Sequence, residues 1–299
     1  MQPHETNLGN TLDSALALID GQIQPLNQAK IPLIDRGFLY GQAIFETVRL
    51  ENGQPQNLAL HMARMEHTRA QLQMPPINLT ELNRQIEQLC KAFYAGGKTK
   101  PCARGILKMI VTLGTALQPY TPADSSKFYL LCYDAPKPRR NDDALMLLSV
   151  GVINDNRSPA LREYKSTNYL PAFLAFQMAQ DLGFDDFVYC NEADELTESG
   201  TANFIWIDRS LRLNTCPAKG NAREGVTLEK LESLLQRSGQ RIERNGLARQ
   251  AIQTNCCGAV LVSSVKLARP IGAIDGSILD HQKSIRLAKN LNSLLTEGD

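Results

Sequence analysis

Apolar and polar residues alternate through ALALIDGQIQPL (residues 15–26), and the alternation breaks at Asp20-Gly21, which predicts a β-hairpin turning there. The period then changes. In NLALHMARMEHTRAQLQM, Leu58, Met62, Met65 and Leu72 recur on one helical face. A second helix is predicted from near Asn78, because Glu81 three residues on completes a capping-box pattern ahead of LTELNRQIEQLCKAFY. GILKMIVTLG and SKFYLLCYDA are short continuous apolar runs of the kind buried strands require. APKPRRNDD, residues 135–143, combines two prolines with five charges and no apolar period, and predicts a linker. Beyond it the pattern predicts strand ALMLLSVGVI, a helix from Thr167 to Gly183, strand DFVYC, a turn at NEAD and a hairpin in NFIWIDRSLRL. A helix through GVTLEKLESLLQRSG, strand AVLVSSV and a C-terminal helix in SIRLAKNLNSLL complete the chain. Helices and strands on both sides of the linker predict an α/β (α+β) chain of two domains, a small one over 1–134 and a larger one over 144–299. Ligands commonly bind in a cleft between such domains.

Composition narrows the partners. At 299 residues with net charge +1, the chain is long enough for two cores and shows no basic stripe, so nucleic acid is not expected as a partner. The first twenty residues lack a basic segment followed by an apolar core, and no apolar run approaches the roughly 20 residues that span a bilayer. The expectation is a cytoplasmic protein without a membrane partner. The seven cysteines are scattered, odd in number and without a CxxC pair, and the four histidines include no HxxxH, so no metal site is expected.

Chemistry gathers late in the chain. Lys165 in REYKSTNYLPAFLAFQM stands just ahead of an apolar helix; taken alone, it reads as an ordinary solvated lysine. Thirty-three residues on, LTESGTANFIWI sets Glu198 beside the small residues Ser199, Gly200, Thr201 and Ala202, which suits close approach of a flat ligand to the backbone. REGVTLEKL puts Gly225, Val226 and Thr227 at a helix N-terminus, where free N–H groups and the helix dipole favour an anion such as phosphate. LVSSVKLARPI ends an apolar strand on the hydroxyls of Ser263 and Ser264. A nucleophilic lysine, a carboxylate for a pyridine nitrogen and an anion cradle are what pyridoxal 5'-phosphate needs.

With LIDRGFLYGQAIFETVRL (33–50), HMARM, YKSTNYL, LTESGTANFIW and SSVKLARPI in that order, the chain resembles the fold-type IV pyridoxal-phosphate family, whose members share a D-amino-acid aminotransferase-like fold. The resemblance implies a small and a large domain with the cofactor between them, and a homodimer acting on a small-molecule amine. It implies Lys165 as the Schiff-base lysine, Glu198 at the pyridine nitrogen and Tyr169 near the ring's phenolic oxygen. Arg64, Val226, Thr227, Ser264 and the neighbouring Ser263 are implied at the phosphate. Without the family, Arg64 reads as a surface arginine, Tyr169 as a core aromatic and Asn203 as a strand-edge polar residue; the resemblance makes Asn203 a support for the strand carrying Glu198.

The family holds transferases and a lyase. In D-amino-acid aminotransferases the loop after VTRG brings an arginine and a histidine to the substrate carboxylate, whereas VTLGTALQPY here has Gln118 and Tyr120. The FET after DRG, the GILKMIVT strand, the Tyr120 loop and Val265 after the paired hydroxyls look more like aminodeoxychorismate lyases. Ser263 and Gln118 depart from them, since lyases often carry asparagine and arginine there. The favoured expectation is a 4-amino-4-deoxychorismate lyase forming 4-aminobenzoate and pyruvate in folate biosynthesis. The alternative is an aminotransferase of branched-chain or D-amino acids. Arg36, Arg104 and Arg162 remain unranked candidates for a substrate carboxylate.

Overall fold

The computed structural model describes residues 14–95, 104–136, 143–151, 163–217 and 222–297. The chain divides into two compact units, Met1–Lys137 with Lys165–Asn168, and Pro138–Tyr164 with Tyr169–Asp299. Most of the linker expected over 135–143 lies outside the described residues.

The first unit contains strands β1 (Leu16–Ile19) and β2 (Gln22–Pro25), helix α1 (Arg36–Tyr40), and strands β3 (Ala43–Glu51) and β4 (Gln54–Pro55). Helices α2 (Leu58–Gln71) and α3 (Leu79–Ala95) and strands β5 (Arg104–Thr112) and β6 (Lys127–Asp134) follow. The β1–β2 hairpin turns at Asp20 and Gly21, with φ of 49° and 78°, the left-handed pair that matches the twist of a two-residue hairpin. The strands form one antiparallel sheet in the order β2-β1-β6-β5-β3-β4. Asn78 accepts the Glu81 N–H at 3.0 Å and starts α3 as its sequence predicts. Leu82, Ile86 and Leu89 of α3 and Met62 and Met65 of α2 close over Val48, Leu107 and Leu130 to make the core.

The second unit contains β7 (Leu145–Gly151), α4 (Leu170–Asp181), β8 (Asp186–Cys190), β9 (Glu195–Leu196), β10 (Asn203–Ile207) and β11 (Leu213–Thr215). These are followed by α5 (Val226–Arg237), β12 (Ile242–Arg244), β13 (Leu247–Ala248), α6 (Ile252–Asn255), β14 (Gly258–Ser263), β15 (Leu267–Ile274), β16 (Ser277–Ile278) and α7 (His281–Glu297). Its mixed sheet runs β12-β11-β10-β14-β15-β7-β8-β9-β13, with β16 on β15. The two-domain α/β class is therefore what the structure shows. Among the described residues no helix is long and apolar enough to cross a membrane, and no three His, Cys, Asp or Glu side chains gather as a metal site would require.

The structure differs from the sequence reading near Lys165. The helix expected from Thr167 begins at Leu170. The Thr167 N–H instead donates to the Ala43 carbonyl at 3.0 Å, the Phe45 N–H donates to the Lys165 carbonyl at 2.9 Å, and Ser166 bridges Ile44. Extended pairing with β3 thus puts Lys165–Asn168 in the first unit, whereas the sequence assigned Lys165 to the larger domain.

Candidate active-site residues in each unit

In the first unit, β3 and the segment paired with it set the position of Lys165. The half-buried Lys165 places its Nζ 4.4 Å from the centre of the Phe45 ring, and Lys108 Nζ lies 4.9 Å from the same ring. Burial holds the Lys108 ammonium below its ordinary pKa.

One residue beyond Phe45 stands a buried carboxylate that sequence reasoning missed. Glu46 and His61 are each 1 % exposed. Arg64, one helical turn beyond His61 on α2, donates from Nε to Glu46 Oε1 at 2.8 Å and from Nη2 to Oε2 at 2.6 Å. His61 Nδ1 lies 2.7 Å from Oε2. Burial pushes the Glu46 carboxyl up, but the His61 hydrogen bond and the Arg64 charge outweigh it and hold it at about 2. Burial likewise pushes His61 below its ordinary value, outweighing Glu46, so the imidazole stays neutral and its Nδ1–H is the donor. The spacing of FET and HMAR was a usable signal: an acid on a strand buried on both faces must find a cation.

The arginine candidates separate. Arg36 is 2 % exposed and donates from Nη1 to the carbonyl of Thr121, at 2.6 Å, and from Nη2 to that of Leu113, so both terminal nitrogens face the loop after β5, while its buried Nε has no partner among the described residues. Tyr40 O–H donates to the Leu117 carbonyl and Gln42 Nε2 to that of Pro119, at 2.9 Å, fixing the same loop. Arg104 sits at the first residue of β5, 3.8 Å from Glu51. Arg162 lies outside the described residues. Gln118 and Tyr120 are exposed, Tyr120 to 94 %.

In the second unit, Glu198 is half-buried, its carbonyl accepts from the Tyr189 N–H at 2.8 Å, and its backbone bridges Asn203. Behind it the buried Cys216 donates its thiol to the Thr197 carbonyl at 3.4 Å; burial, with the Glu198 charge second, pushes that thiol up to about 12. Tyr169 O–H donates to the Gly200 carbonyl at 3.2 Å. Gly225 caps α5 with no side-chain acceptor, and the first helical bond runs from the Glu229 N–H to the Gly225 carbonyl. Val226, Thr227 and Leu228, whose N–H groups precede that bond, are buried at 2 %, 6 % and 1 %. A buried helix start without a capping side chain asks for an anion. Thr227 Oγ1 lies 3.2 Å from Ser264 Oγ, so two hydroxyls stand beside these N–H groups. The Ser263 hydroxyl instead accepts from the Lys266 N–H at 3.4 Å within its own turn. The structure thus brings Val226, Thr227 and Ser264 together and leaves Ser263 in the turn beside them.

These groups fit pyridoxal phosphate in kind: an uncapped helix start with hydroxyls for its phosphate, a carboxylate for its ring nitrogen, and a half-buried lysine amine for its aldehyde. Relatives agree at low identity. The chain is 22% identical over 289 residues to a D-alanine aminotransferase of Bacillus licheniformis, covering 94% of this chain and 97% of that one. It is 25% identical over 194 residues to an aminodeoxychorismate lyase of Vibrio harveyi, covering 62% and 66%. Its fold matches a fold IV transaminase of Curtobacterium pusillum with a TM-score of 0.81 at 19% identity, over 96% of this chain and 99% of that one. The family model for class IV amino-transferases matches residues 43–274, and the chain belongs to that pyridoxal-phosphate-dependent family.

Proposed function

We propose that the protein is a 4-amino-4-deoxychorismate lyase, releasing pyruvate by β-elimination to leave 4-aminobenzoate. One observation carries the choice: the loop after β5 exposes Gln118 and Tyr120, while Arg36 beneath it is buried and bonded to carbonyls. An α-amino acid bears its carboxylate on the carbon that loses the proton, so its transaminase needs a cation close to that carbon. In aminodeoxychorismate the amine-bearing ring carbon carries no carboxylate, and a neutral loop suffices.

Bound pyridoxal phosphate supplies an electron sink for the pair left when the C–H bond at the amine-bearing carbon breaks. Lys165 would hold the cofactor through its amine and, when that amine is free, would take the proton as general base. The electron pair of the C–H bond forms a double bond within the substrate ring as the adjacent C–O bond breaks; the enolpyruvyl oxygen leaves, and its fragment takes a proton to become pyruvate. With the cofactor bound, Glu198 would hold the proton on its ring nitrogen, and Tyr169 would support it from the side of the phenolic oxygen. Val226, Thr227 and Ser264 would hold the phosphate; for Ser263, which accepts within its own turn, and Arg64, which is bonded to Glu46, that role rests on the family resemblance alone. The protein acts as a homodimer.

A second reading, an aminotransferase of branched-chain or D-amino acids, is favoured by the D-alanine aminotransferase relative, which is aligned over more of the chain than the lyase relative. Purified enzyme given 4-amino-4-deoxychorismate without any keto acid should yield pyruvate and 4-aminobenzoate in equal amounts, and Lys165→Ala should yield neither. Rapid conversion of the cofactor to its amine form by leucine or D-alanine, with no pyruvate from aminodeoxychorismate, transfers the function to the second reading.

A further inference from the structure

The start of α5 has no capping side chain, yet something must fix the direction in which its first N–H groups point. Asn203, the first residue of β10, is 7 % exposed and donates from Nδ2 to the Arg223 carbonyl at 2.8 Å. Its Oδ1 fills the space beside Gly225: a β-carbon on that glycine would lie 1.8 Å from Oδ1 and 3.0 Å from Cγ. The φ of Gly225 is −81°, so the backbone asks for no glycine and only the carboxamide does. Antiparallel pairing with Val262 fixes the backbone of Asn203, and its bridge to Glu198 ties the same residue to the carboxylate. A side chain on a central strand therefore braces the turn that leads into Val226 and Thr227.

We propose that Asn203 is a positioning residue for phosphate, its carboxamide wedged against Gly225 so that the N–H groups of Val226 and Thr227 point at the anion. The inference rests on the reading that the α5 start holds the cofactor phosphate. Because the side chain serves the turn and the main chain serves Glu198, removing the carboxamide harms phosphate recognition and spares ring recognition.

The full-length protein, freed of cofactor, is titrated with pyridoxal 5'-phosphate and, separately, with pyridoxal. Asn203→Ala should raise the dissociation constant for the phosphate ester on the order of tenfold, the size of one weakened hydrogen bond to a charged group. The constant for pyridoxal should stay within about twofold, the spread expected of a site that keeps its ring contacts. Asn203→Asp, whose carboxylate cannot donate to the Arg223 carbonyl and is repelled by it, loses the bond that holds the side chain against Gly225; it should show the same split and serves if the alanine variant does not fold. Gly225→Ala should weaken the phosphate ester further than Asn203→Ala does, and the double variant should be weakened less than the product of the two single losses, because the new methyl occupies the space the amide leaves. Equal losses for both ligands in Asn203→Ala or Asn203→Asp would mean a structural role only and overturn the proposal. Thr227→Val separates the two readings. If it leaves phosphate-ester affinity unchanged, the phosphate is not at α5; if it weakens that affinity while the Asn203 variants do not, the phosphate reading stands and the Asn203 proposal falls.

Discussion

A carboxylate and an imidazole that are each 1 % exposed make the first unit sensitive to acid through two separate groups. Glu46 is held at about 2 against an ordinary 4.5, so its contribution to stability is present above 4.5 and is lost as pH falls toward 2. His61 is held below 6.5, so the unfolded chain takes up its proton first and stability falls as pH drops through 6.5. The two losses have the same sign and occupy successive windows. The melting temperature should therefore fall between pH 7.5 and 5, and His61→Asn, which has no proton to gain there, should flatten that limb; the limb below about pH 4.5 should persist in reduced form, because Arg64 still holds Glu46. Parallel curves for the two proteins would mean that His61 is not buried in its neutral form. Legibility at this scale follows the backbone. Glu198 and Thr227 stood out as candidates because small residues and a helix start flank them, whereas Lys165 stood out only through the family resemblance. Glu46 was passed over: AIFETVRLE is buried at nearly every position, so alternation does not say which face the acid takes, and its partners lie on a separate helix.

At the scale of elements, period and capping were enough for the hairpin, α2, α3 and α5. They failed at two places for physical reasons. KLARPI was not read as a strand because Lys266, Arg269 and Pro270 interrupt its apolar run; β15 nevertheless lies inside the sheet, and Pro270 falls just before its pairing with β7 begins at Ile271. STN was read as the start of a helix, yet β3 claims its backbone, and no local rule anticipates a partner more than a hundred residues away. The α1 C-cap bears on this second case. Gly41 has φ of 64°, and a β-carbon there would lie 2.1 Å from Asn168 Oδ1. Gly41→Ala should cost about 1–2 kcal/mol for a left-handed alanine. It should also push Asn168 away from the Gly41 carbonyl it reaches at 3.3 Å, loosening the segment that carries Lys165. Borohydride trapping of the cofactor on Lys165 should then slow relative to wild type, with peptide mapping as the readout. A variant that melts lower but labels at the normal rate would show that Asn168 does not hold the lysine in place.

For the whole molecule, the sequence announced two cores, and two compact units exist, but their outer surfaces were not legible. In LIDRGFLY, Leu33 and Phe38 are 73 % and 62 % exposed, and Leu117 is 74 % exposed. In the second unit α4 shows Leu170, Phe173 and Met178 to solvent at 67 %, 53 % and 48 %. A period of 3.6 marks an apolar stripe without telling whether the chain itself or another copy covers it. Clusters of this kind on a protein with net charge +1 favour association. Fully covering one such side chain is worth about 1.5–3 kcal/mol, so the three of the first unit, counted on two copies, can exceed an association cost of roughly 4–15 kcal/mol. The proposed homodimer should accordingly sediment as two chains at micromolar concentration. Phe38→Glu with Leu117→Glu should shift it to one chain if the first unit makes the interface, and Phe173→Glu should do so if α4 does. None of Phe38, Leu117 and Phe173 lies in a core cluster, so the variants should keep the wild-type circular dichroism, which separates lost assembly from lost folding. A wild-type protein that sediments as a single chain, still binding cofactor, would remove the homodimer from the proposal, and each active site would then have to be complete within one chain.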